Sequence, residues 1–175
     1  MLCLLLAATA PAASQPTTPT EHQVKAAFLY NFGRFVTWPA RAFADSTAPL
    51  LVGILGEDPF GTEIDAMLRG KTVEGRPVQV QRFQELRDLG PCHILFTARS
   101  DPAFLQQLFA TLRGRPVLTV GESTDFTSRG GVIRFYLEEN RVRFEINVRA
   151  AQRAELWISS KLLKLARIVG EESER

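Results

Sequence analysis

The chain has 175 residues, 45% of them hydrophobic and 23% charged, with a formal net charge of +2. That balance belongs to a globular protein large enough to bury a full core without disulfide staples, and it excludes a disordered or fibrous chain. Lysines and arginines are scattered instead of gathered into a stripe, which argues against a nucleic-acid binder.

Residues 2–10 form an apolar run too short to cross a bilayer, which takes about 20 apolar residues. The run has the length of a signal-peptide core, and the small residues Ala12, Ala13 and Ser14 that follow suit a cleavage site. We therefore expect a signal peptide over residues 1–14 and an exported chain with no transmembrane segment of its own. No Lys or Arg precedes the run, so a disordered apolar N-terminus of a cytosolic protein is the alternative. Loss of Cys3 with the leader leaves Cys92 alone and rules out an internal disulfide. Cys92 then reads as a small buried hydrophobe, with an intermolecular disulfide as the sharper alternative. Residues 15–20, rich in Pro and Thr, read as an extended linker, and residues 21–175 as one domain.

The first element of that domain is helical. Val24, Phe28, Asn31 or Phe32, and Phe35 recur at three- and four-residue steps, and Pro39 ends the helix. Apolar runs of strand length follow at 50–55, 77–83, 94–97 and 116–120. Two of them lead into Asp-Pro pairs, Asp58-Pro59 and Asp101-Pro102, where the Asp suits a helix N-cap and the Pro the first helical position. Apolar strands alternating with helices predict parallel strands covered on both faces. The pattern then changes: 132–137 and 142–148 alternate apolar and polar residues about Glu138-Glu139-Asn140, as an antiparallel hairpin does. Ala151, Ala154, Ile158, Leu162, Leu165 and Ile168 or Val169 predict one long closing helix. The expected fold is a single-domain α/β structure: a mixed, mostly parallel sheet flanked by helices, with a C-terminal antiparallel hairpin and a long closing helix.

Catalytic motifs are incomplete. Gly121-Glu122-Ser123-Thr124-Asp125 half resembles a nucleophile elbow, but Asp125 stands where the second glycine belongs and neither His22 nor His93 follows the serine. A turn or cap role for Ser123 is the better reading. Gly53, Gly56 and Gly61 fit neither a dinucleotide fingerprint nor a phosphate loop, and Lys71 is displaced from any phosphate position. Two isolated histidines and one mature cysteine offer no metal-ligand spacing. We expect no enzyme, no metal and no cofactor.

Two surfaces suggest binding instead. Arg134, Arg141, Arg143, Glu145 and Asn147 share the polar face of the hairpin, and guanidinium groups so clustered grip a carboxylate or phosphate. The plainer alternative is a solvated face with cross-strand ion pairs. The first helix carries more aromatics than one stripe needs. Core packing claims Phe28, Phe32 and Phe35, which leaves Tyr30, Arg34 and Trp38 as expected partner contacts.

The residues Lys25-Ala26-Ala27-Phe28-Leu29-Tyr30-Asn31-Phe32, continuing to Phe35 and Trp38-Pro39, resemble the opening of the YfiR-like family. So, in order, do Gly70-Lys71, Gly75-Arg76-Pro77-Val78, Cys92-His93-Ile94-Leu95-Phe96, Leu118-Thr119-Val120-Gly121 and Gly130-Gly131. The series continues through Arg141-Val142-Arg143-Phe144-Glu145-Ile146-Asn147 to Ser159-Ser160-Lys161-Leu162-Leu163, so that the resemblance covers roughly residues 22–169. It implies a periplasmic regulator that binds the periplasmic sensor part of an inner-membrane diguanylate cyclase and holds it inactive, restraining cyclic di-GMP synthesis and biofilm. It also implies a homodimer tuned by disulfides, although Cys92 lacks the partner for that tuning here. The alternative function is a periplasmic small-molecule sensor, with its pocket at the carboxyl ends of the parallel strands near Gly56, Thr97 and Gly121, or on the hairpin's arginines.

Overall fold

The computed structural model of the chain describes residues 18–170. The expected leader, residues 1–14, and the first part of the linker lie outside the described residues. The linker's last residue, Thr20, is the N-cap of helix α1 (Glu21–Phe35) and forms a capping box with Gln23. Strand β1 (Val36–Thr37) follows, ending before Pro39 as that proline dictates.

The chain continues through β2 (Leu50–Leu55), α2 (Thr62–Leu68), β3 (Thr72–Val73), β4 (Arg76–Phe83), β5 (Ile94–Thr97), α3 (Pro102–Thr111) and β6 (Leu118–Gly121). The hairpin β7 (Ile133–Glu138) and β8 (Arg141–Asn147) comes next, then α4 (Val148–Arg153), β9 (Trp157–Ile158), α5 (Ser160–Leu163) and β10 (Arg167–Val169). Eight strands form one sheet in the order β10-β8-β7-β6-β5-β2-β4-β3. Every neighbouring pair is parallel except β3 with β4 and β7 with β8. β1 and β9 form a separate antiparallel ribbon. The molecule is thus the mixed, mainly parallel α/β domain expected, with its antiparallel hairpin near the C-terminus.

Both faces of the sheet are covered, which is why its central strands are apolar throughout. Val52, Ile54, Ile94 and Phe96 face a core completed by α1 and α2 through Leu29, Phe32, Ile64 and Leu68. Leu55 and Leu95 face α3 through Leu105 and Leu108, together with Phe126. On α1 the most deeply buried line is Ala26, Leu29 and Phe32, while Val24, Phe28 and Phe35 are only half-buried. Phe28 and Phe32 still reach the hairpin, with ring centroids 5.2–6.0 Å from those of Phe135 and Phe144.

Asp101 caps α3 with Pro102 at its start, as expected. Asp58 does not cap α2. Its carboxylate accepts from the Phe60 and Gly61 amides in a local turn, and Gly61, at φ +53°, separates that turn from a helix beginning at Thr62.

The long closing helix is a second correction. Its span holds two short helices, α4 and α5, separated by β9 and followed by β10. Glu155, at φ +55°, ends α4 in a left-handed residue. Trp157-Ile158 then pairs with β1, and Ser159 caps a new start. The stripe matches burial at Ala151 and Leu162 but not at Leu165, which is exposed, and Trp157-Ile158 and Ile168-Val169 are strand-formers that found open edges to pair with.

Candidate binding surfaces

The hairpin register is the one that unites the predicted residues. Glu139 and Asn140 take positive φ, +49° and +58°, in a two-residue turn. Arg134 therefore sits opposite Glu145, Tyr136 opposite Arg143 and Glu138 opposite Arg141. The cluster is closed on itself. Glu145, 3% exposed, accepts from Arg134 Nε at 2.8 Å and Nη2 at 3.2 Å, from the Thr127 hydroxyl at 2.6 Å and from Arg167 Nε at 3.0 Å. Burial by itself opposes the carboxylate, but the hydrogen bonds from Arg134, Thr127 and Arg167 outweigh it and hold the pKa down at about 2. Asn147 is equally committed: its Oδ1 accepts from the Ala150 amide as the cap of α4, and its Nδ2 donates to the Thr127 carbonyl.

Of the five residues expected to hold a ligand, Arg134, Glu145 and Asn147 are thus bound to the protein's own groups. Arg141 and Arg143 remain exposed, with Arg143 3.4 Å from Glu138. The inner half of this face has the cross-strand ion pairing of the plainer alternative, but it is buried, not solvated. Arg167 and Thr127 were absent from the expected cluster because one arrives on a parallel strand distant in sequence and the other on a loop. Neither carries a local sequence signal.

The helix-borne contacts also divide. Tyr30 is half-buried and donates to the Thr72 carbonyl at 3.2 Å, and Arg34 is exposed with its guanidinium 5.9 Å from the Tyr30 ring centroid. Trp38, expected at the surface, is 8% exposed, and its indole N–H donates to the His93 carbonyl at 3.1 Å. Trp38 is a core residue. The preceding extended pair turns it inward, because Val36 and Trp38 share one side of the chain and Thr37 takes the other. The outward tryptophan is Trp157, opposite Thr37 on the ribbon and 77% exposed. It was read as part of a helix, so its exposure went unseen.

A largely apolar groove of about 590 Å³ lies between α1 and α2, lined by Val24, Ala27, Phe28, Asn31, Ala66 and Met67 among others. A broad depression of about 930 Å³ borders the turns after β4 and β5, lined in part by Arg87, Arg99, Asp101 and Phe104. At the end of β6, by contrast, the Phe126 ring fills the space: a Cβ on Gly121 would lie 2.4 Å from it.

The reactive side chains are held in structural roles. His93 accepts from the Leu51 amide at Nδ1 (2.9 Å) and has the Ala42 carbonyl 3.0 Å from Nε2, the pattern of a neutral ring with its proton on Nε2. Burial lowers its pKa. The Ser123 hydroxyl donates to Asp125, within its own turn. Cys92 is buried, and burial pushes its thiol up to about 11. Among the described residues no group of three or more His, Cys, Asp or Glu is placed to hold a metal ion, and no helix is long and apolar enough to cross a membrane.

The family model for the YfiR/HmsC-like family matches residues 22–167. The chain belongs to the YfiR/HmsC-like family. That match runs from the first turn of α1 to the first residue of β10, so it takes in the sheet from β2 through β8, including the hairpin. The family is periplasmic and regulatory, not catalytic.

Proposed function

We propose that this chain is an exported, non-enzymatic regulator that binds the periplasmic sensor part of an inner-membrane diguanylate cyclase and represses it. The observation that carries this reading is the family match across residues 22–167. The leader at residues 1–14, cleaved on export, belongs to the same reading. For the contact we favour α1, which lines the α1–α2 groove and also carries Tyr30 and Arg34. An apolar trough with an aromatic and an exposed guanidinium on the same helix suits a helical segment of a partner. Repression needs a difference in affinity for the two states of the target, and moving it from mostly active to mostly inactive takes about 5.5 kcal/mol.

Deleting the gene should raise cyclic di-GMP, and Ala27→Arg with Arg34→Glu should reproduce the deletion while leaving the fold intact. Unchanged cyclic di-GMP, with no cyclase co-purifying, defeats the proposal. The small-molecule alternative draws on the depression at Arg87 and Arg99. Thermal stabilisation by anionic metabolites, lost in Arg99→Ala, would favour it instead.

A further inference from the structure

The segment from β9 through α5 has a divided surface. Leu156, Ile158 and Leu162 pack against the core. Trp157 lies between two of these in extended chain and so points the other way. Lys161, Lys164 and Leu165 flank Leu162 on its outward side, all exposed. Trp157 at 77% and Leu165 at 67% are the most exposed large apolar side chains among the described residues.

The charged side chains of residues 156–165 are Lys161 and Lys164, both basic. Glu155 is paired with Arg41 at its edge. Arg153, Lys161 and Lys164 make no ion pair among the described residues. Two protruding apolar side chains among unpaired cations need an occupant that is anionic outside and apolar beneath.

We infer that this face docks on an anionic phospholipid bilayer. Trp157 and Leu165 enter the headgroup boundary, and Lys161 and Lys164 lie on the lipid phosphates with their alkyl stems beside Leu165. A lipid surface is favoured over an acidic protein because lysine is depleted from protein interfaces. Tryptophan at the boundary with lysine at the phosphates is what a bilayer selects. Attachment through one tryptophan, one leucine and a few cations is weak and reversible. It would hold the protein near the membrane whether or not its partner there is a cyclase.

The protein carries its own reporter, since Trp38 is buried and Trp157 exposed. The full chain and its variants are floated with vesicles of phosphatidylethanolamine and phosphatidylglycerol, and with phosphatidylcholine alone. Comparison with variants cancels any contribution of the apolar N-terminal run. The unsubstituted chain should bind the anionic vesicles, shift its tryptophan emission to the blue, be quenched by brominated lipid and dissociate in high salt. Lys161→Gln with Lys164→Gln should weaken binding roughly 25-fold, at about fivefold per lysine, and Trp157→Ser about tenfold. Because these residues are exposed, melting temperatures should not change.

No binding to anionic vesicles overturns the inference. So does equal binding by the chain and these variants, or quenching that persists when Trp157→Phe leaves only Trp38. Loss of a homodimer, or of a soluble sensor domain, in Trp157→Ser with vesicle binding unchanged assigns the face to a protein and equally overturns it.

Discussion

The inner half of the hairpin's polar face and the outward face of β9–α5 are made from similar parts: basic side chains and one aromatic residue. On the hairpin, Arg134 and Arg167 lie 5.3 Å and 4.7 Å from the Tyr136 ring centroid and converge on Glu145. On β9–α5 the exposed ring is Trp157, and the charged side chains of residues 156–165 are Lys161 and Lys164, which make no ion pair among the described residues. One buried acid makes the difference. It converts a potential anion site into an internal strut, because guanidinium groups already gripping a carboxylate have little left for a ligand. Composition alone does not distinguish the two; the position of one counter-charge does.

The severest way to break that contrast is to remove the acid. Glu145→Ala should cost about 3–5 kcal/mol, since it strands Arg134 beside an unfilled space. Urea midpoints measure it, and Arg134→Ala combined with Glu145→Ala should recover part of the loss. A cost near zero would mean that the network does not brace the sheet.

Acid tests the same strut more gently. The folded pKa of Glu145, about 2, lies below its ordinary value of 4.5. Between the two the unfolded chain binds the extra proton. The stabilisation is therefore complete above about pH 4.5 and lost as pH falls toward 2, an effect of about 2–3 kcal/mol. His93 adds an earlier loss. Its pKa is lowered by burial, partly offset by the Ala42 carbonyl, so below its ordinary 6.5 the unfolded ring takes up a proton before the folded one. Stability against pH should thus fall in two stages, with Glu145→Gln reducing the lower, to which the more exposed Asp65 and Asp125 also contribute, and His93→Asn removing the upper. A lower stage undiminished in Glu145→Gln would place the acid sensitivity elsewhere.

These residues also mark how far the sequence can be read. The strand at 50–55 and the strand at 94–97 were legible to the residue, because both faces of each are buried and the apolar run ends where burial ends. The hairpin and its polar face were legible from alternation, but the connection is two residues, not three, and that register sets Arg134 opposite Glu145. What closed the cluster was not legible, because Thr127 and Arg167 meet Glu145 only after the chain has crossed the sheet. The C-terminal segment misled for a related reason. Ala154, Ile158 and Leu162 satisfy a helical stripe, yet strand pairing with β1 and β8 was available and took Trp157-Ile158 and Ile168-Val169. Trp38, expected at the surface, is buried instead, while Trp157 is outward, opposite Thr37 in that pairing.

The smallest expected effect gives the sharpest boundary. Arg143 lies two residues before Glu145 on the same strand face, and by composition alone belongs to the same cluster. Its side chain and that of its ion-pair partner Glu138 are each about half exposed, 48% and 56%, and 3.4 Å apart. Water screens such a pair, and ordering two long side chains offsets most of the attraction. Arg143→Ala should therefore change stability by no more than about 0.5 kcal/mol, whereas Arg134→Ala, which leaves a buried carboxylate short of a partner, should cost several times that. Equal costs would show one continuous network reaching the hairpin's tip. Unequal costs place the end of the closed region between Glu145 and Arg143, and leave Arg141 and Arg143 as the part of this face still open to an external anion.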